Sequence, residues 1–107
     1  MVQAAYAQTN QTNPYLVQKV MTASPEQLVL YVFDAASLAC KRKDKDKAMQ
    51  ALQVLIGSLK FDYHEIATNF YNTYHGIINV INQDKYDLAT TMIADIKGTW
   101  QEAMNVK

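Results

Sequence analysis

From Ser24 to Met104 the apolar side chains recur every three or four residues in successive blocks, with only short polar stretches between them. That period belongs to helices that each bury one face. No segment shows the strict alternation, bounded by turn residues, that a strand would need. Glycine and proline, three and two in the chain, are too scarce for a loop-rich or all-β fold.

The first helix carries its own start signal. Ser24 suits the N-cap, Pro25 the first helical position and Gln27 the return half of a capping box. The helix is predicted to run to about Arg42, where Lys41, Arg42 and Lys43 complement the negative end of its dipole. Residues 43–47, with alternating lysine and aspartate, are predicted to be a charged turn. A second helix follows, with Ala48, Met49, Leu52, Leu55, Ile56 and Leu59 on one face, ending near Lys60. A third is expected from about Asp62, with Ile66, Phe70, Tyr74, Ile77 and Ile81 in one stripe and Ala67, Tyr71 and Ile78 beside it. After a turn at residues 82–85, a fourth runs from about Tyr86 to Met104, with Leu88, Met92, Ile93, Ile96, Trp100 and Met104 inward.

Amphipathic helices joined by short polar turns predict an all-α fold, an antiparallel up-down four-helix bundle over residues 23–107. Residues 1–22 are expected to be a flexible arm. Its first part lacks charged side chains, and a short helical segment holds Tyr15, Val17, Val20 and Met21. Gly57, Gly76 and Gly98 fall inside helical blocks, each at a cost of about 1 kcal/mol against alanine, and close packing between helices would account for them.

With 107 residues the chain is sized for one domain. Ten cationic and ten anionic side chains leave no basic excess, which argues against nucleic acid as a partner. The single cysteine, Cys40, excludes an internal disulfide and suits a reducing compartment. No secretory leader and no membrane-spanning run is visible, so a cytosolic protein without membrane insertion is expected.

The pattern argues against an enzyme. His64 and His75 share a helix but stand about 16 Å apart along it, too far to hold one metal. The Glu-x-x-His pairs of a di-iron bundle are absent. Neither histidine lies in the H-x-x-K-G setting of a phosphotransfer domain. Cys40 sits near a helix C-terminus, which disfavours a thiolate, and the glycines form no phosphate loop. No cofactor and no metal is predicted. The basic run at residues 41–47 is interspersed with aspartate, as in a solvated turn. The seven tyrosines suit half-wet positions, either at the rim of a bundle or at an interface.

On a helical wheel the first helix has an apolar arc of about 220°, wider than one bundle seam requires. Leu30 falls inside the remaining polar arc and is therefore expected on the surface, available to a partner. The surplus has three fates. This helix is the most enclosed of the four, or the N-terminal segment lies across it, or another chain covers it.

The stretches Asn13-Pro14-Tyr15, Ala23-Ser24-Pro25-Glu26-Gln27-Leu28-Val29-Leu30 and Phe33-Asp34-Ala35-Ala36 resemble the opening of the flagellar secretion chaperone FliS family. Glu65-Ile66-Ala67-Thr68-Asn69-Phe70 is similar to that family's E-I-A-x-N-L, and Thr99-Trp100-Gln101-Glu102-Ala103 to its T-W-x-E-A. Phe33 and Ala35 stand where the family usually has tyrosine and glycine, and the region between Asp34 and Asp62 is shorter. The resemblance implies a cytosolic export chaperone. It would bind the disordered C-terminal region of flagellin, prevent premature polymerisation and assist flagellar type III export. A helical adaptor for a different secreted client is the alternative. Client-binding residues implied in this way, together with the wheel, are Tyr15, Val29, Leu30, Phe33, Asp34, Ile66, Phe70, Tyr71, Tyr74 and Ile78. Export-gate components and a second copy of the chain are further candidate partners. The N-terminal segment is implied to lie over the client surface until the client displaces it.

Overall fold

A computed structural model describes residues 22–59 and 64–106, with the side chains of His64 and Glu65 outside that description. The N-terminal arm, Tyr15 and the predicted start of the third helix near Asp62 lie outside the described residues. Four helices account for the fold: α1 (Pro25–Lys41), α2 (Lys45–Gly57), α3 (His64–Asn82) and α4 (Tyr86–Met104). Each packs on its neighbours in the chain, and α1 closes against α4. The fold is thus the predicted all-α four-helix bundle.

The predicted cap of α1 is present. The Ser24 side-chain oxygen accepts from the Gln27 N–H at 3.2 Å, with Pro25 in the first turn. The charged stretch after α1 is shorter as a turn than predicted. Asp44 is the N-cap of α2 and accepts from the Lys47 N–H at 3.2 Å, so Lys45 and Asp46 already belong to the helix. At its other end α2 stops at Gly57, with Ser58 as C-cap, short of the predicted Lys60.

Three-residue turns cannot carry the chain back along a helix, so α1–α2 and α3–α4 are antiparallel hairpins. Their turns repeat each other. Lys43 and Asp84 both adopt left-handed backbone conformations, φ 56° and 61°. With 84 less 43 as the offset, two of the turn hydrogen bonds correspond directly. Lys43 N–H to Cys40 O is matched by Asp84 N–H to Ile81 O, and Asp44 N–H to Ala39 O by Lys85 N–H to Val80 O. The same offset pairs buried side chains: Phe33 with Tyr74, Cys40 with Ile81, Ala48 with Ala89, and Leu52 with Ile93.

The core runs the length of the bundle. Phe33, Phe70, Tyr74 and Trp100 form a closed aromatic ring of contacts, with neighbouring centroids 5.6–6.5 Å apart. Near the turns the core is built from small residues, Ala36, Ala39, Cys40, Ala48 and Ala89, which let the helix axes come close. Two ion pairs stitch the surface. Lys97 donates to Asp34 at 2.7 Å between α4 and α1, and Lys45 meets Asp84 at 2.8 Å between the two turns. Exposed pairs of this kind contribute about 0–1 kcal/mol.

Three predicted placements are corrected. Leu30 is buried, 7% exposed, because the core face of α1 is centred on Ala36, Cys40 and Phe33 rather than on its apolar majority. Leu88, predicted inward, is 48% exposed, and its neighbour Ala89 fills the close approach instead. Close packing does not explain the glycines. A Cβ at Gly57 or Gly98 would meet nothing within 4 Å, and one at Gly76 would reach only the Met92 methyl at 3.8 Å.

Candidate functional site

At the end of the bundle away from the two turns lies an apolar cleft of about 610 Å³. Its walls come from α1, α3 and α4 and from the residues that follow α2. Pro25 and Val29 belong to the first turns of α1, Leu59 follows α2, Ile66 and Phe70 sit at the start of α3, and Trp100 and Met104 lie at the end of α4. The Trp100 indole N–H donates to the Glu26 carbonyl at 3.2 Å, tying α4 to the first turn of α1. The Ser58 hydroxyl is likewise satisfied, donating to the Leu55 carbonyl at 2.8 Å. What remains open to a ligand is mostly apolar surface.

The ten predicted client-binding residues divide into groups. Val29, Ile66 and Phe70 line the cleft, although Phe70, 3% exposed, is also a core residue. Leu30, Phe33, Tyr74 and Ile78 are core residues, turned inward by the helical faces they occupy, and a partner cannot reach them in this fold. Asp34 is exposed but engaged by Lys97. Tyr71 is 40% exposed and packs its ring on His75, centroids 4.5 Å apart, away from the cleft. Tyr15 lies outside the described residues. Leu59, Trp100, Ala103 and Met104 complete the cleft without having been expected there. The expectation that Leu59, Trp100 and Met104 face inward holds: Trp100 is buried in the core and the other two pack against it, so the cleft lies at the edge of that core.

The electrostatics are quiet. Among the described residues that line the cleft, Glu26 is the one ionisable side chain. Among the described residues, no three His, Cys, Asp or Glu side chains gather to hold a metal ion, and no helix is long and apolar enough to cross a membrane. Cys40 is fully buried and its desolvated thiol is pushed up from its ordinary pKa. The Tyr74 phenol is pushed up strongly by burial, and its hydroxyl has no hydrogen-bond partner among the described residues. Both groups sit in the core rather than facing a ligand. The arrangement is suited to gripping apolar side chains.

The structure thus defines an all-α four-helix bundle with an apolar cleft at its open end. No family model, no curated protein and no solved structure matches the chain.

Proposed function

We propose that the protein is an export chaperone of the flagellar kind, which takes the amphipathic C-terminal segment of flagellin into its open-end cleft. One observation carries this reading. Three of the five stretches that resemble the FliS family converge on a single feature: Pro25, Glu26 and Val29 from residues 23–30, Ile66, Ala67 and Phe70 from residues 65–70, and Trp100 and Ala103 from residues 99–103 all line the cleft. A cleft of this volume accepts a few apolar anchors of a helix, as in helix-in-groove recognition. A disordered client gives up part of the interaction energy in becoming ordered. Binding would then be reversible, as release before export requires. In this role the chaperone would act in the cytosol and keep flagellin from polymerising before type III export.

The test is co-purification with full-length flagellin and with flagellin lacking its C-terminal segment. Full-length flagellin is expected to be retained and the truncated form lost. Ile66→Asp and Ala103→Glu, at exposed positions of the cleft wall, are expected to abolish retention while leaving the helical circular dichroism signal intact. Failure to retain flagellin would refute the proposal, and retention of another secreted subunit instead would favour the adaptor alternative.

A further inference from the structure

The cleft inherits the offset, 84 less 43, that relates the two hairpins. Pro25 and Ile66, Val29 and Phe70, and Leu59 and Trp100 are corresponding positions, and all six line it. Both halves of its wall are therefore apolar, with one exception. Glu26 corresponds to Ala67, which also lines the cleft and is 2% exposed. One half thus carries a carboxylate where the other carries a buried methyl group.

The register of α1 fixes which way that carboxylate faces. Glu26 lies four residues before Leu30 and seven before Phe33, both core residues, so it continues the inward stripe of α1 to the open end. Helical side chains lean towards the N-terminus of their own helix, which carries this one to the mouth of the cleft. Its backbone is held in place, because the Glu26 carbonyl accepts the Trp100 indole N–H at 3.2 Å. Glu26 is half-buried and makes no ion pair among the described residues. The described lysines and the arginine stand at or beside the two turns, at the other end of the bundle, apart from Lys97, which Asp34 engages.

Apolar walls alone rank amphipathic helices by the size and fit of their anchors and discriminate little further. A half-buried carboxylate in the wall changes this. An occupant that covers it without a partner desolvates an unpaired charge, which is costly. An occupant that brings a cation avoids that cost, and one that brings an acid adds repulsion to it.

We infer that Glu26 is the specificity-determining residue of the cleft, and that its occupant is an amphipathic helix with a lysine or arginine beside its apolar anchors. The inference rests on the reading of the cleft as a helix-binding groove and adds the charge that the bound segment must carry.

Three synthetic peptides test it. They share one amphipathic helical sequence, with leucines at i, i+3, i+4 and i+7. They differ at a single position beside the leucine face, which is lysine, glutamine or glutamate. Binding to the full chain is read from the fluorescence of Trp100, the only tryptophan in the chain and part of the cleft wall. The lysine peptide is expected to bind about tenfold more tightly than the glutamine peptide, and the glutamate peptide most weakly. Glu26→Gln is expected to abolish this ranking and Glu26→Lys to reverse it, with circular dichroism checking that both variants stay helical. The ranking should also fade in about 1 M salt, where the screening length is about 3 Å. Equal binding of the three peptides overturns the inference, and so does a lysine preference that survives in Glu26→Gln. If no peptide binds, the cleft is not a helix groove and the inference falls with it. The peptides carry no flagellin sequence, so the two readings fail separately: a chain that ranks the peptides but does not retain flagellin refutes the proposed client alone.

Discussion

The two hairpins use one turn geometry but opposite side-chain chemistry. In the first turn the left-handed residue is Lys43 and the cap is Asp44; in the second the order is reversed, Asp84 and then Lys85. The backbone path is the same in both, so it does not depend on which side chain occupies which position. The consequences differ. Asp44 caps its own helix, whereas Lys85 makes no capping hydrogen bond. Asp84 instead reaches out of its hairpin, pairing with Lys45 and accepting from the Tyr86 hydroxyl at 3.3 Å. One aspartate serves its helix, and the other joins the two halves of the bundle.

The correspondence breaks most sharply where Leu30 is paired with Tyr71, the first buried and the second 40% exposed. Leu30→Asp is expected to cost more than about 3 kcal/mol, since it buries an unpaired charge, whereas Tyr71→Asp should stay within about 1 kcal/mol. Urea denaturation midpoints measure both. A wild-type midpoint for Leu30→Asp would remove Leu30 from the core.

The aromatic pair Phe33 and Tyr74 offers a finer contrast, because only Tyr74 carries a hydroxyl, and that hydroxyl has no partner among the described residues. Phe33→Tyr is expected to lower stability by about 1–3 kcal/mol. Tyr74→Phe is expected to leave it unchanged or raise it by up to about 1 kcal/mol. Thermal melts of the two variants would show opposite trends; a marked loss for Tyr74→Phe would mean that its hydroxyl is bonded after all.

At the caps, Asp44→Ala should cost about 1 kcal/mol, and Lys85→Asn should gain about 0.5–1 kcal/mol by supplying the missing acceptor. If Lys85→Asn gains nothing in chemical denaturation, the second turn does not tolerate the capping geometry of the first.

Gly57 and Gly98 also correspond, and each has open space where a Cβ would go. Gly57→Ala and Gly98→Ala are each expected to add about 0.5–1 kcal/mol by improving helix propensity. Unequal shifts in melting temperature would show that one helix end frays before global unfolding.

The smallest effect concerns acid. The hydrogen bond and charge of Lys45 hold the Asp84 carboxyl below its ordinary pKa. A folded-state pKa lowered in this way adds stability above the ordinary carboxylate range. That stability is lost as pH falls through the depressed value. Lys45→Met should therefore narrow the gap between stability at neutral pH and in acid, and NMR titration of Asp84 should move back towards the ordinary value.

Much of the fold was legible because period and caps agree. Ser24, Pro25 and the apolar spacing from Ile66 to Ile81 specify their helices locally. What misled was the weight given to large side chains. The core face of α1 is marked by Ala36, Ala39 and Cys40, small residues that packing selects and hydrophobicity underrates, while Leu28 and Leu38 point away from it. The same preference placed Leu88 inward in place of Ala89. Asp44 was absorbed into a charged run, although its cap position was the informative fact. For the candidate site, Val29, Ile66 and Phe70 were reachable from sequence because they sit on motif positions at helix ends. The cleft itself depends on how the ends of α1, α3 and α4 pack together, which no local pattern encodes.

Cys40 turns this architecture into a clock. It is fully buried, beside the first turn, and is the only thiol in the chain. Burial both excludes reagents and holds the sulfur in its unreactive protonated form. Its alkylation rate in the native protein should therefore follow the transient opening of the turn end, reporting the lifetime of the closed bundle with no label added.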